Sequence, residues 1–295
     1  MRFGEAESMT EPTRDAIVRS AAPLRMADGA SSDLLLYLPA GEIAATLLWL
    51  PAMGVGARHY ELLALALSAR GIAVAIHEWR GIGSSDRRAS RRLNWGYREL
   101  LHDDLPVSLH RLREAAPDAP LYIGGHSLGG QLASLLAATT AIPVSGLVLV
   151  ASGAPYWRRF SPWVGLAYVV APLLAAVAGR LPGRRIGFGG NEARGVIADW
   201  SRSGRTGRYA ARGMDVDLEA ALRHQKAPVL AQRLRDDWLG PAPSLAFLLD
   251  KMPDAPREVS VVVPDDLDGA PADHFAWMKA PGAIARRIAD WVHAR

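Results

Sequence analysis

Short apolar runs alternate along this chain with longer stretches of helical spacing, and that alternation restricts the fold more than any other feature. Runs at 34–38, 46–50, 72–76, 121–123, 144–150, 229–234 and 258–263 read as strands. Between them, 59–69, 97–116, 128–138, 244–252 and 284–292 carry helical spacing, as with Leu101, Leu105, Leu109 and Leu112 near one face. Strands alternating with helices of ten residues or more predict an α/β fold: a mostly parallel central sheet with helices on both faces. At 295 residues the chain can bury a full hydrophobic core without staples. It contains no cysteine, which excludes disulfide frameworks, thiolate metal sites and cysteine nucleophiles.

The alternation is interrupted once. From 153 to 227 no clear strand appears. Tyr156, Trp157, Phe160 and Trp163 come first, then twenty uncharged residues at 160–179 bounded by Arg159 and Arg180, then a Gly- and Arg-rich stretch to 213. An insert of that length in a regular alternation is usually a lid or binding element. The predicted organisation is a first core part at 1–152, an insert at 153–227 and a second core part at 228–295.

Gly125-His126-Ser127-Leu128-Gly129 is a G-x-S-x-G string that follows one predicted strand and opens the next predicted helix. That placement is what a nucleophile elbow needs: glycines make the turn sharp enough for Ser127 to project, and the helix N-terminus favours developing negative charge. A plain strand–turn–helix with Ser127 as N-cap would use the same residues. A serine needs a base to take its proton and an acid to orient that base. Of eight histidines, His274 is the best placed, after the strand at 258–263 and the loop at 265–273 and before the last helix. Asp237 lies just past the strand at 229–234 and four residues before Pro241; Asp236 is its rival.

With Ser127, Asp237 and His274 in that chain order, the sequence resembles the α/β-hydrolase superfamily, over roughly residues 30–295 apart from the insert. Residues 124–130 look like its nucleophile elbow and 236–241 like its acid loop. Glu78-Trp79-Arg80-Gly81-Ile82-Gly83-Ser84-Ser85 is similar to its D-x-R-G-x-G-x-S turn, with Glu78 in place of Asp. The insert stands where the family carries a helical cap. The family's first oxyanion loop usually reads His-Gly-x-Gly, whereas here it is Pro51-Ala52-Met53-Gly54. The resemblance implies backbone N–H donors at Met53 and Leu128, and backbone donors tolerate such side-chain changes. Trp157 is the candidate substrate contact, although it and Trp163 also suit a core.

The expected activity is a cofactor-free serine hydrolase acting on a small acyl substrate with an apolar part, through an acyl-enzyme on an ester, thioester or amide. Acyl transfer from the same acyl-enzyme, or a catalytically idle hydrolase fold that binds a ligand, are the alternatives. No metal or cofactor is expected: Gly81-Ile82-Gly83 lacks the third glycine of a dinucleotide fingerprint, and no P-loop or H-E-x-x-H string occurs. The net charge of +4 is too small to indicate a nucleic-acid partner. The arginines between 180 and 212 suit an anion site or, more plainly, a solvated surface. The uncharged stretch is long enough to span a bilayer, but Pro162, Gly165 and Pro172 suit broken helices. A span there would also part Ser127 from His274, so helices that at most dip into a lipid interface are expected. Glu5, Glu7, Glu11 and Asp15 leave residues 1–20 without the apolar run of a secretory leader, which predicts a cytoplasmic protein.

Overall fold

The structure is a computed structural model that describes residues 17–295. The leader reading of residues 1–20 therefore falls almost entirely outside the described residues. Eight strands form one sheet: β1 Ile17–Arg25, β2 Ser31–Pro39, β3 Ala45–Leu50, β4 Ile72–Ile76, β5 Leu121–His126, β6 Gly146–Val150, β9 Val229–Leu234 and β10 Arg257–Val262. Their spatial order is β1-β2-β4-β3-β5-β6-β9-β10. β2 runs antiparallel to β1 and β4, and every other neighbouring pair is parallel.

The continuous apolar runs follow from burial on both faces. Along β3, Leu47 and Trp49 face a layer that includes Leu63 and Leu67 of α1 (Glu61–Ser68) and Ile284 and Ile288 of α9 (Gly282–His293). Leu48 and Leu50 face the other layer, built from α2 (Leu105–Ala115), α3 (Leu128–Thr139) and α8 (Ala242–Leu249). Alternate side chains of one strand thus enter two separate cores. The predicted mostly parallel sheet with helices on both faces is what the chain forms.

Three local readings differ. Residues 17–25, which carry no strand reading in the sequence, form β1, an edge strand whose side chains are largely exposed, so its sequence lacks an apolar alternation. Pro23 is tolerated there because an edge strand has an unpaired side. The helix expected over 97–116 opens as a wide π-helical turn at Glu99–Asp104 before α2, whose second residue is Pro106.

The third difference lies between β6 and β9. The uncharged stretch forms one helix, α4 (Val164–Ala178), that runs through Pro172 instead of breaking there. Proline lacks the N–H that would bond the carbonyl four residues back. That carbonyl, on Tyr168, instead accepts a hydrogen bond from Arg205 Nη1 at 2.7 Å. Beyond α4 come a small antiparallel ribbon of β7 (Arg180–Pro182) and β8 (Asn191–Ala193) around α5 (Gly183–Ile186), then α6 (Arg194–Thr206) and α7 (Leu218–His224). The ribbon was not foreseen; three-residue strands carry no readable period.

Arg80 ties two loops to the π-helical turn before α2. Its Nε and Nη2 grip Asp104 Oδ1, each with a 2.9 or 2.7 Å bond, and Nη1 reaches Asp28 Oδ2 at 2.6 Å. The Arg80 and Asp104 side chains are almost completely buried. Removing one member of a buried ion pair leaves an unpaired charge and costs about 3–5 kcal/mol. Arg80→Met is therefore expected to lower the unfolding free energy by about that much in urea denaturation. Asp28→Asn, at the half-exposed end of the triad, is expected to cost about 1 kcal/mol or less.

Candidate active site

β5 is buried along its whole length and delivers Ser127 to the C-terminal edge of the sheet, directly before α3. Ser127 has φ 55° and ψ −119°, a conformation that side-chain-bearing residues rarely adopt. Its surroundings impose it. A Cβ on Gly125 would lie 2.4 Å from the Gly129 carbonyl carbon, and one on Gly129 would lie 2.0 Å from the Leu50 carbonyl oxygen. The Ser127 carbonyl accepts from Ser152 Oγ at 2.7 Å, and its N–H donates to Val150 at 3.2 Å.

The acid and the histidine come from the turns after β9 and β10. Asp237 Oδ1 accepts the backbone N–H groups of Leu239 and Gly240 at 2.8 and 2.9 Å. Its Oδ2 is left to accept from His274 Nδ1 at 2.8 Å. Both side chains are buried. Asp236 points elsewhere, pairing with Arg235 at the surface. The two turns are joined by the Asp236 N–H, which donates to the Ala272 carbonyl at 2.9 Å. Asp273 Oδ1 holds the N–H groups of Phe275 and Ala276, and Trp277 Nε1 donates to the His274 carbonyl. With Nδ1 committed to Asp237, Nε2 is the ring nitrogen available for proton transfer.

Ser127, His274, Met53 and Leu128 line one cavity of about 350 Å³. Its walls are mainly apolar, with Phe160, Trp163, Tyr168, Phe188, Trp200 and Trp238 contributing rings. No Asp, Glu, Lys or Arg is among the described residues that line it. Trp157 is not among them either; it packs against Gly165, 3.6 Å from where a Cβ there would lie. Trp163 does line the cavity. Arg194, Arg202 and Arg212 instead line a separate, more open cleft of about 440 Å³ with Glu99 and Asp199. Among the described residues, no group of His, Cys, Asp and Glu is placed to hold a metal ion.

Two supporting contacts escape sequence reading. The Tyr60 hydroxyl accepts the Ala52 N–H at 2.9 Å and donates to His126 Nδ1 at 2.8 Å, so it fastens the loop that carries Met53 to the residue before Ser127. Tyr60 and His126 are fully buried. Burial, and secondarily the nearby His274 ring, hold the His126 pKa well below the usual histidine value. The only sequence signal was a histidine at the end of an apolar strand. The second contact is Glu78, whose Oε1 accepts the Ala57 N–H at 3.1 Å. Gly83, at φ 50°, leaves it room: a Cβ there would lie 1.8 Å from Glu78 Oε2. The longer Glu78 thus reaches from the turn after β4 to the loop after β3, and burial raises its pKa.

Comparison with known proteins agrees with this architecture. A hydrolase from Pseudomonas aeruginosa PA01 superposes with a TM-score of 0.60 at 19% identity, covering 92% of this chain and 98% of that one. The Pyrococcus furiosus esterase Pf2001 superposes with a TM-score of 0.59 at 14% identity, covering 99% of each chain. The esterase domain of a Rhodothermus marinus protein superposes with a TM-score of 0.60 at 14% identity, covering 94% and 98%. At such identities the likeness concerns the fold. No protein of curated function matches the sequence. The family model described as serine aminopeptidase, S33, matches residues 41–215, more than half of the chain. By that match and by its sheet, this chain belongs to the S33 family of α/β hydrolases.

Proposed function

We propose that this protein is a serine hydrolase that cleaves a carboxylic ester with an apolar acyl part, using Ser127, His274 and Asp237. The observation that carries this reading is the 2.8 Å bond from His274 Nδ1 to buried Asp237, in a cavity that His274 shares with Ser127. In the reaction, Ser127 Oγ attacks the acyl carbon while His274 Nε2 takes its proton. The oxyanion is held by the backbone N–H groups of Met53 and Leu128. His274 then gives the proton to the leaving alcohol, and a water molecule activated by the same nitrogen releases the acid. Asp237 keeps the imidazole in the required tautomer. The reaction needs no cofactor.

Residues 153–227 act as a cap, since Phe160, Trp163, Tyr168, Phe188 and Trp200 supply one side of the cavity. An apolar cavity without a carboxylate offers nothing to pair with the free α-ammonium group of an aminopeptidase substrate. The esterases among the structural neighbours support the same choice.

Ser127→Ala is expected to abolish both fluorophosphonate labelling and turnover of p-nitrophenyl esters. Asp237→Asn should lower the rate by roughly 10⁴, as in a comparable triad, whereas Asp236→Asn should stay near wild type. If the two aspartates rank the other way in that assay, the acid assignment fails.

Tyr60→Phe leaves the Ala52 N–H and His126 Nδ1 without partners, loosening the loop that carries Met53. Misplacement of that order is expected to lower kcat by about tenfold to a hundredfold with KM changed much less. Equal changes in both constants in steady-state kinetics would contradict a positioning role.

Cavity shape is expected to set chain-length preference. Trp163→Ala should change the ratio of kcat/KM for octanoate and acetate esters by about tenfold, within the range of apolar pocket contacts. Trp157→Ala, outside the cavity, should leave that ratio as it is.

A further inference from the structure

α4 is apolar all round, from Val164 to Ala178 without a charged residue. Such a helix is normally buried on every side. Here only Tyr168 and Ala175 are buried, in the stripe that packs on α6. The opposite side is open. Leu166, Leu173 and Val177 are 65%, 63% and 75% exposed, and Val169, Val170 and Leu174 fill the space between them. Exposed apolar surface that is contiguous marks a docking face.

Two further observations say what docks there. The first is charge. From residue 119 to 191 the chain has no acidic residue at all, while Arg158, Arg159, Arg180, Arg184 and Arg185 stand before and after the helix. Arg158, Arg159, Arg184 and Arg185 are solvent-exposed. The next acid in sequence, Glu192, is buried, and burial pushes its pKa up to about 7. The second is continuity with the cavity. Trp163, Trp238 and Phe275 line the Ser127 cavity and are also 62%, 61% and 45% exposed, so they form its rim. Trp163 precedes α4 directly and packs against Trp238, with ring centroids 5.7 Å apart and the planes tilted by 41°. Tryptophans at the edge of an apolar face with arginines beside them have the composition of a membrane-interface belt.

We infer that the exposed face of α4, with its flanking arginines, docks this protein on a lipid surface carrying anionic headgroups, with the cavity rim against that surface. At 15 residues α4 is about 22 Å long, too short to cross a hydrocarbon layer about 30 Å thick. It lies in the plane of the interface, with its apolar side among the upper acyl segments and the arginines among the headgroups. An apolar substrate then passes from lipid to Ser127 along the Trp163–Trp238 rim without crossing water. A second copy of this chain is the less suitable occupant. A two-fold contact through this face would set the arginines of one copy against those of the other, and the stretch 119–191 supplies no acid to pair them. The docking itself is independent of the esterase assignment, because it is read by binding and not by turnover.

The test is co-sedimentation of the full chain with sucrose-loaded vesicles of phosphatidylcholine, with and without phosphatidylglycerol. Binding is expected on the anionic vesicles, to be at least tenfold weaker on pure phosphatidylcholine, and to weaken as salt rises. The triple variant Leu166→Ser, Leu173→Ser, Val177→Ser, confirmed folded by circular dichroism, should lose binding. None of those three residues lines the cavity, so its ester turnover in solution should match wild type. Arg184→Gln with Arg185→Gln keeps the apolar face and should weaken anionic-vesicle binding by about fivefold for each arginine removed. Wild-type protein that stays in the supernatant with both kinds of vesicle overturns the inference. So does a wild-type dimer in sedimentation velocity that the triple serine variant abolishes, since the face would then belong to a second copy.

Discussion

The main chain of β3 and the first turn of α3 meet at Gly129 with no space for a side chain between them. Because the Leu50 carbonyl sits 2.0 Å from where a Gly129 Cβ would be, the end of β3 and the start of the elbow behave as one rigid corner. The loop that carries Met53 leaves from that corner, so its place relative to Leu128 is set by backbone contact together with the Tyr60 bridge. The same loop meets the 153–227 segment by a second close approach. A Cβ on Gly54, at φ 77°, would lie 2.0 Å from the Gly190 nitrogen. Wall, elbow and roof of the cavity are thereby held in register by glycines, where a methyl group would force them apart.

Much of this was legible in the sequence, for a physical reason: burial on both faces makes the central strands read as unbroken apolar runs. The strand at 229–234 has the bounds expected of it, and the elbow stands where its glycines put it. Ser127, Asp237 and His274 could be picked out because each follows a strand of the same parallel sheet. Their turns therefore emerge on the same edge. The choice between Asp236 and Asp237 could not be read, because it depends on which carboxylate the turn points inward. In the structure two N–H bonds to Oδ1 turn Asp237 inward, while Asp236 pairs with Arg235 at the surface.

What stayed hidden has its own causes. The edge strand β1 contributes few buried side chains, so nothing in its composition announces a strand. Pro172 read as a helix break because the group that compensates for it, Arg205, lies on another helix 33 positions away in sequence. The Tyr60 bridge joins residues 52, 60 and 126, which no local pattern relates. Trp157 and Trp163 are alike in composition and neighbourhood, and only the path of the chain before α4 sends Trp163 to the cavity. Long-range partners and side-chain direction are what a pattern of residues leaves undetermined.

β6 and β9 are neighbours in the sheet, paired from Leu147 opposite Val229 to Val150 opposite Gln232, although the whole α4–α7 segment lies between them in sequence. The entropy of closing such a loop grows only with the logarithm of its length, about 0.6 kcal/mol for each doubling. Lengthening or shortening the segment therefore changes the stability of the sheet very little, provided the Gly54–Gly190 approach is kept. The sheet edge that carries Ser127, Asp237 and His274 and the segment that walls the cavity above it are in this sense separately inheritable. Selection can remodel the roof of the cavity, residue by residue or by whole helices, while the sheet edge beneath it keeps its register.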